Sequence, residues 1–219
     1  MSTTSQELIM AGNHLVGIVG NNCIVIAAEK FFENQNTICS LDGKITVAWS
    51  GYSSNALMIV DKAKIYTNSV HGLNSPGDRV TEFLIDPEIR VLNNLPTLPY
   101  TESFMVASCD NNGQHLYVTD TYGTISHVLA SAIGRKSDLI TNFLVANYSA
   151  ANKSILGTIE FALKTLCVIT EPDAKFIDVS VTAFNRPFEV VDKSIVSQFL
   201  STIEFSRIVN AAVKINNIV

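Results

Sequence analysis

Two short connections between β-rich runs limit the possible folds more than any other feature of this chain. The stretches Ser103–Cys109 and Gln114–Asp120 are separated only by a four-residue turn that ends in Asn-Gly. Asn-Gly is a strong hairpin signal because both residues tolerate positive φ. In the same way, His14–Gly20 and Cys23–Glu29 are separated only by Asn-Asn. Strands joined this closely pair antiparallel, since a parallel pair needs a crossover of a dozen or more residues.

The remaining elements are predicted from the spacing of their apolar residues. Further strands are expected at Ile45–Trp49, Thr124–Ser131, Phe176–Phe184 and Phe188–Val191. A helix near Asp78–Leu92 contains Pro87, which is expected to break or kink it. Asn152 or Ser154 can cap a later helix, and Asp192 caps the last one. The inward residues predicted for the five helices are Ala56, Leu57, Val60, Ala63 and Tyr66; Val80, Phe83, Leu84 and Val91; Leu139, Ile140, Phe143, Leu144 and Tyr148; Ile155, Ile159, Ala162, Leu163 and Leu166; and Ile195, Phe199 and Ile203.

The order of these elements predicts the architecture. Strands, two helices, strands, two helices, strands and a helix follow one another, and the strands connect through short turns. Two antiparallel sheets stacked face to face, with helices on both outer faces, bury every apolar helix stripe. The sequence therefore predicts an α+β fold, a four-layer αββα sandwich, formed by residues 1–219 as a single domain.

Composition narrows the classes of partner. Only 16% of the 219 residues are charged, while 47% are hydrophobic; typical soluble domains carry about 25% charged residues. Two interpretations of this low charge content are a surface largely buried against other subunits and a large core with a neutral surface. The size of the deficit favours the first. The net charge of −5 and the lack of a basic cluster argue against a nucleic-acid partner. No apolar run reaches the ~18 residues of a membrane helix, so no membrane partner is expected.

Cysteines and histidines offer no metal or cofactor site. The four cysteines form no CxxC pair and are expected to be buried, reduced thiols. His14, His71, His115 and His127 show no HxxxH or HExxH spacing, so no metal site and no cofactor are predicted. Trp49 and Tyr52 flank Gly51 and suit the core or an interface, with the core favoured.

Seven segments, in order, resemble one family. They are Ala11–Ile18, Ile24–Lys30 (IVIAAEK), Ile38–Asp42 (ICSLD), Ser50–Ala56 (SGYSSNA), Pro99-Tyr100, Asp110–Gly123 (DNNGQHLYVTDTYG), and Ser131–Gly134 (SAIG) followed by Phe143-Leu144 and Asn147-Tyr148. Together they resemble the alpha-type subunits of the proteasome core particle, over roughly Gln6–Ile203. Glu29-Lys30 is similar to the Glu-Lys that ends the second strand of alpha-type subunits.

The resemblance implies a fold, partners and a location. The fold is that of N-terminal-nucleophile hydrolases. The implied partners are other alpha-type subunits in a seven-membered ring, the beta-type subunits beneath it, and the regulatory particle or other activators. The implied function is structural, in assembly, substrate entry and activator docking for ubiquitin-dependent protein degradation. The implied location is the cytoplasm and nucleus.

Catalytic residues are not expected in this chain. Active beta-type subunits carry a threonine at the start of the first strand, whose free amine is the base, with an aspartate and a lysine in support. Here His14 stands at the threonine position, Glu29 near the aspartate position and Thr37 at the lysine position. Thirteen residues precede His14, so its backbone nitrogen is part of a peptide bond and is not a free α-amine. We therefore expect no peptidase activity.

The resemblance also implies an activator-docking pocket at Gly12, Thr37 and Tyr52. In the family, a lysine at the position of Thr37 pairs with the C-terminal carboxylate of an activator, a charge-assisted contact. A threonine cannot supply that charge, so the pocket is expected to be weak or idle. Residues 1–10 are expected to be the remnant of the family's N-terminal helix, without the pore-closing tail, and residues 204–219 a C-terminal extension.

Three other functions remain open at this stage. An inactive beta-type subunit would have the same fold, but Glu29-Lys30 and Ala132-Ile-Gly134 favour the alpha type. An N-terminal-nucleophile amidase would need a Ser, Thr or Cys at the start of the first strand, where none stands. A stand-alone binding module is the least favoured because of the low charge.

Overall fold

The computed structural model describes residues 4–69, 76–148, 154–169, 171–184 and 186–203. The strands are β1 (Leu15–Val19), β2 (Cys23–Glu29), β3 (Ile38–Ser40), β4 (Ile45–Gly51), β5 (Glu102–Asp110), β6 (Gly113–Thr119), β7 (Ile125–Val128), β8 (Ala130–Ile133), β9 (Ile177–Ala183) and β10 (Glu189–Val190). The helices are α1 (Ser5–Met10), α2 (Ser53–Ser69), α3 (Pro76–Ile85), α4 (Pro87–Leu92), α5 (Ser137–Asn147), α6 (Ile155–Leu166) and α7 (Lys193–Thr202).

The strands form two antiparallel sheets that stack face to face. The first sheet has the order β10-β9-β2-β1-β8 and the second has the order β3-β4-β5-β6-β7. Both predicted hairpins are present, with Leu15 opposite Ala28 and Cys109 opposite Gln114. Apolar side chains of both sheets form the inner core, which includes Leu15, Ile24, Ile26, Met105, Ala107 and Leu116.

Helices cover the outer face of each sheet, which confirms the predicted αββα sandwich. On the first sheet, α5, α6 and α7 pack Ile140, Leu144, Ile159, Leu163, Val196 and Leu200 against β-strand residues such as Val16 and Val25. On the second sheet, α2 and α3 pack Ala56, Ile59, Val60, Ala63, Val80 and Leu84 against Val47, Trp49, Phe104 and Val106. The sequence order therefore predicted all four layers.

Side-chain caps explain where several helices begin. Ser154 accepts a hydrogen bond from the Gly157 amide, and Asp192 accepts one from the Ser194 amide. Asp86 accepts hydrogen bonds from two amides of the first turn of α4, and Pro87 occupies the position after it, where a proline needs no amide partner. The predicted 78–92 helix is therefore two helices, and Pro87 is the point where it breaks.

The prediction of one continuous strand at Thr124–Ser131 is wrong, because this segment forms two strands and changes sheets between them. Ile125–Val128 pairs with β6 in the second sheet, while Ala130–Ile133 pairs with β1 in the first. Leu129 lies at the crossing, and its carbonyl accepts a hydrogen bond from the Val19 amide. A single apolar, β-rich run gives no sequence signal for such a switch.

Five predicted inward side chains are exposed instead. They are Tyr52, Leu57, Val91, Leu139 and Ile195. On α2, the buried stripe contains Ile59 and Thr67, so it is rotated away from Leu57. On α4, the fully buried side chain is Arg90, and this turns Val91 outward.

Candidate functional site

His14, Glu29 and Arg135 meet at one end of the first sheet. The pairing of β1 with β2 continues beyond Leu15, so that the Glu29 amide donates a hydrogen bond to the His14 carbonyl over 2.9 Å. The pairing of β1 with β8, which sets Leu15 opposite Ile133, brings the residues that follow β8 to the same end. Two strand pairings thus assemble a cluster whose members are up to 121 positions apart.

The imidazole of His14 is at the centre of this cluster. Its side chain is 2% exposed, and Arg135 Nε donates a hydrogen bond to Nε2 over 2.7 Å. Glu29 Oε2 lies 3.5 Å from the same nitrogen and 3.9 Å from Arg135 Nη2. The guanidinium therefore contacts the imidazole and the carboxylate together.

His14 is neutral in this environment. Burial, and then the positive charges of Arg135 and Lys136, lower the pKa of His14 to about 4. Because Nε2 accepts a hydrogen bond, the proton of the neutral ring lies on Nδ1. The approach of Glu29 to His14 is therefore not an ion pair at neutral pH, and the carboxylate's charged neighbour is Arg135.

Close backbone packing surrounds the start of β1. Gly134 has a φ of +96°, and a Cβ there would lie 1.8 Å from the carbonyl oxygen of Asn13. The Ser50 hydroxyl donates a hydrogen bond to that oxygen over 2.9 Å. A Cβ at Gly12 would lie 2.3 Å from the Gly51 amide nitrogen. The start of β1 is thus tightly packed between the ends of β4 and β8.

The three predicted docking residues lie along the end of β4. Gly12 packs against Gly51, Tyr52 follows Gly51 directly, and the Thr37 carbonyl accepts a hydrogen bond from the Trp49 amide. Only Tyr52 offers its side chain to solvent, with 52% exposure. Thr37 is fully buried, and its hydroxyl oxygen has no hydrogen-bond partner.

Sequence reasoning missed Arg135 as a member of the cluster that contains His14 and Glu29. Its signal was present, since Arg135 directly follows the Ser131–Gly134 segment that carries the family resemblance. Its side chain is 46% exposed, with the guanidinium carbon 5.8 Å from the centre of the Phe31 ring. Lys136, the next residue, is also exposed. This end of the sheet therefore presents two cations to solvent.

Two other kinds of site are absent from the described residues. No group of three or more His, Cys, Asp or Glu side chains there is arranged to hold a metal ion. No helix in the same ranges is both long enough and apolar enough to cross a bilayer.

The stacked antiparallel sheets, the outer helices and a polar cluster at the start of the first strand define the class: the chain has the N-terminal-nucleophile hydrolase fold. Residues 9–182 match the family model described as proteasome subunit. The chain therefore belongs to the proteasome subunit family, and its curated relatives identify it as an alpha-type member.

Those relatives match along most of the chain. Proteasome subunit alpha type-7-1 of Drosophila melanogaster is 23% identical over 215 residues, which cover 91% of this chain and 85% of the relative. Proteasome subunit alpha type-7-like of Macaca fascicularis is 27% identical over 213 residues, with the same coverage. Proteasome subunit alpha type-7-B of Arabidopsis thaliana is 29% identical over 188 residues, which cover 80% of this chain and 74% of the relative.

Proposed function

We propose that this chain is a non-catalytic, structural subunit of the outer alpha ring of the proteasome core particle. The observation that supports this most directly is the His14 cluster. Where a catalytic subunit carries an N-terminal hydroxyl nucleophile, this chain has a buried, neutral imidazole that accepts a hydrogen bond from Arg135, with Glu29 Oε2 3.5 Å from the same nitrogen. An imidazole whose Nε2 already accepts a hydrogen bond cannot act as the base for a nearby hydroxyl through that atom.

Assembly into a ring is supported by the surface. Only 16% of the residues are charged, and seven large apolar side chains are at least 60% exposed: Phe32, Ile65, Val91, Leu92, Tyr122, Val145 and Leu156. They lie on helices of both outer faces and in loops, as expected for a subunit with several neighbours. The proposed neighbours are other alpha-type subunits in a seven-membered ring and beta-type subunits in the ring below, in the cytoplasm and nucleus.

Activator docking is also part of the proposal, but the positive charge that binds the activator is assigned to a residue other than the one at position 37. A C-terminal carboxylate that approaches the end of β4 cannot reach the Thr37 hydroxyl, because that side chain is fully buried. Of the two exposed cations at this end of the sheet, Arg135 and Lys136, Arg135 is the one that a hydrogen bond to His14 holds in place. We therefore propose that Tyr52 and Gly12 shape the pocket, and that Arg135 meets the carboxylate of the regulatory particle or another activator.

Two measurements test the structural role. An affinity-tagged chain, expressed in its source cells and examined by native mass spectrometry, should be recovered with other alpha-type and beta-type chains in one particle. Recovery as a stable monomer at micromolar concentration would contradict the proposal. The purified chain should also hydrolyse no fluorogenic peptide, and hydrolysis that is lost in His14→Ala would show that the site is catalytic.

A further inference from the structure

His115 and His127 lie side by side on the second sheet. In the pairing of β6 with β7, Tyr117 is directly opposite His127, and His115 is on the same face as Tyr117 because side chains two apart on a strand share a face. The ring centres of His115 and His127 are 5.4 Å apart. Strand pairing thus brings together two imidazoles that are twelve positions apart in the sequence.

Asp110 orients the first of these rings. Its Oδ1 lies 3.2 Å from His115 Nε2. A carboxylate only accepts hydrogen bonds, so the proton of the neutral His115 ring lies on Nε2 and the lone pair on Nδ1. Histidines that bind metal ions are held in this way, with the second nitrogen donating to a carboxylate, which also makes the ligand more basic.

We propose that His115 and His127 form a two-imidazole site for a borderline divalent ion such as Zn²⁺, Ni²⁺ or Cu²⁺, with Asp110 as the residue that orients His115. Two imidazoles bound to one tetrahedral Zn²⁺ ion at about 2.0–2.1 Å have their ring centres roughly 5 Å apart, close to the observed 5.4 Å. Imidazole ligands suit these ions and not Mg²⁺ or Ca²⁺. His127 is exposed, so an ion reaches the pair from solvent.

Among the described residues the site has two protein ligands, since no group of three ligating side chains is found there. Water completes the coordination, and the ion therefore binds reversibly. This inference is independent of the proposed function, since neither histidine belongs to the His14 cluster.

Calorimetric titration of the full-length chain, purified without a histidine tag, tests the proposal. NiCl₂ and ZnCl₂ are the probes, and MgCl₂ is the hard-cation control. We expect one Ni²⁺ or Zn²⁺ per chain and no heat from Mg²⁺. His127→Ala and His115→Ala should each weaken binding at least tenfold, and Asp110→Asn should weaken it about tenfold. Ser126→Ala, an exposed neighbour on β7, should bind as the parent chain does.

A Cu²⁺ complex provides a second, structural readout. Its electron paramagnetic resonance spectrum should show coupling to nitrogens of two imidazoles, and one of these couplings should be lost in His127→Gln. Unchanged binding in the His115→Ala/His127→Ala double variant would overturn the proposal, as would the absence of any Ni²⁺ or Zn²⁺ binding. Binding that depends on both histidines but not on Asp110 would overturn the role assigned to Asp110.

Discussion

Arg90 and Glu102 form an ion pair in which both side chains are fully buried. The guanidinium also donates through Nε to the Pro96 carbonyl over 2.9 Å and through Nη1 to the Leu84 carbonyl over 3.2 Å. Its carbon lies 4.3 Å from the centre of the Tyr100 ring. The pair thus joins α3, α4 and the following loop to the first residue of β5.

Removing one member of this pair should destabilise the fold strongly. Glu102→Ala leaves the Arg90 guanidinium buried without its counter-ion, and such a change costs about 3–5 kcal/mol. Urea unfolding of the full-length chain measures the loss. Asp61→Ala, which breaks the exposed Lys64–Asp61 pair, is the matched control and should cost less than about 1 kcal/mol. Equal losses for the two variants would contradict the role of burial.

The burial of Arg90 also shows where sequence reasoning reached its limit. The β1–β2 and β5–β6 hairpins were predicted because turn chemistry acts over a few residues, and the caps at Ser154 and Asp192 for the same reason. A prediction from apolar periodicity assumes, however, that charged residues face solvent. It therefore placed Val91 in the core, where the structure has Arg90. No pattern near Arg90 reveals its partner, twelve residues away on another element.

The His14 cluster, like the fold, was predictable from the sequence only where it depends on local contacts. The position of His14 beside Glu29 follows from one hairpin, whose turn is visible in the sequence. Arg135 joins them only because β1 also pairs with β8, a contact between segments more than one hundred residues apart. The switch of sheets at Leu129 creates that pairing, and at this place the sequence predicted one continuous strand.

The pH dependence of stability should contain a contribution from His14. The folded-state pKa of about 4 is below the ordinary histidine pKa of 6.5, so the unfolded chain binds an additional proton between these values. The stabilisation from the neutral ring is therefore complete above about pH 6.5 and is lost as the pH falls toward 4, at a slope of up to about 1.4 kcal/mol per pH unit. In His14→Gln, this part of the slope should disappear from unfolding curves measured at pH 4–7. An unchanged slope would mean that another group titrates there.

The close packing at Gly134 should make that position intolerant of a side chain. In Gly134→Ala, the new Cβ meets the Asn13 carbonyl at 1.8 Å while φ is +96°, so the start of β1 must shift. Gly43→Ala is the control, because Gly43 also has a positive φ, of +81°, but no atom within 4 Å of the added Cβ. The control should lose about 1–2 kcal/mol from backbone strain, and Gly134→Ala clearly more, by thermal or urea unfolding. Similar losses in the two variants would show that backbone strain alone accounts for the effect.

The proposed docking contact can be tested with a pair of variants at the same end of the sandwich. A carboxylate gains most from a partner that carries a full positive charge, and hydrogen bonds to charged groups contribute about 1.5–3 kcal/mol. In assembled particles that carry Arg135→Ala, the affinity for an activator's C-terminal peptide should therefore fall by roughly tenfold or more at low salt, and the difference should shrink as screening increases. Thr37→Val is the matched control, because it removes a buried hydroxyl that has no partner and keeps the shape of the side chain. It should leave peptide affinity unchanged and the chain at least as stable. Weaker peptide binding in Thr37→Val, with normal binding in Arg135→Ala, would show that the carboxylate contacts Thr37 and would exclude Arg135 as its partner.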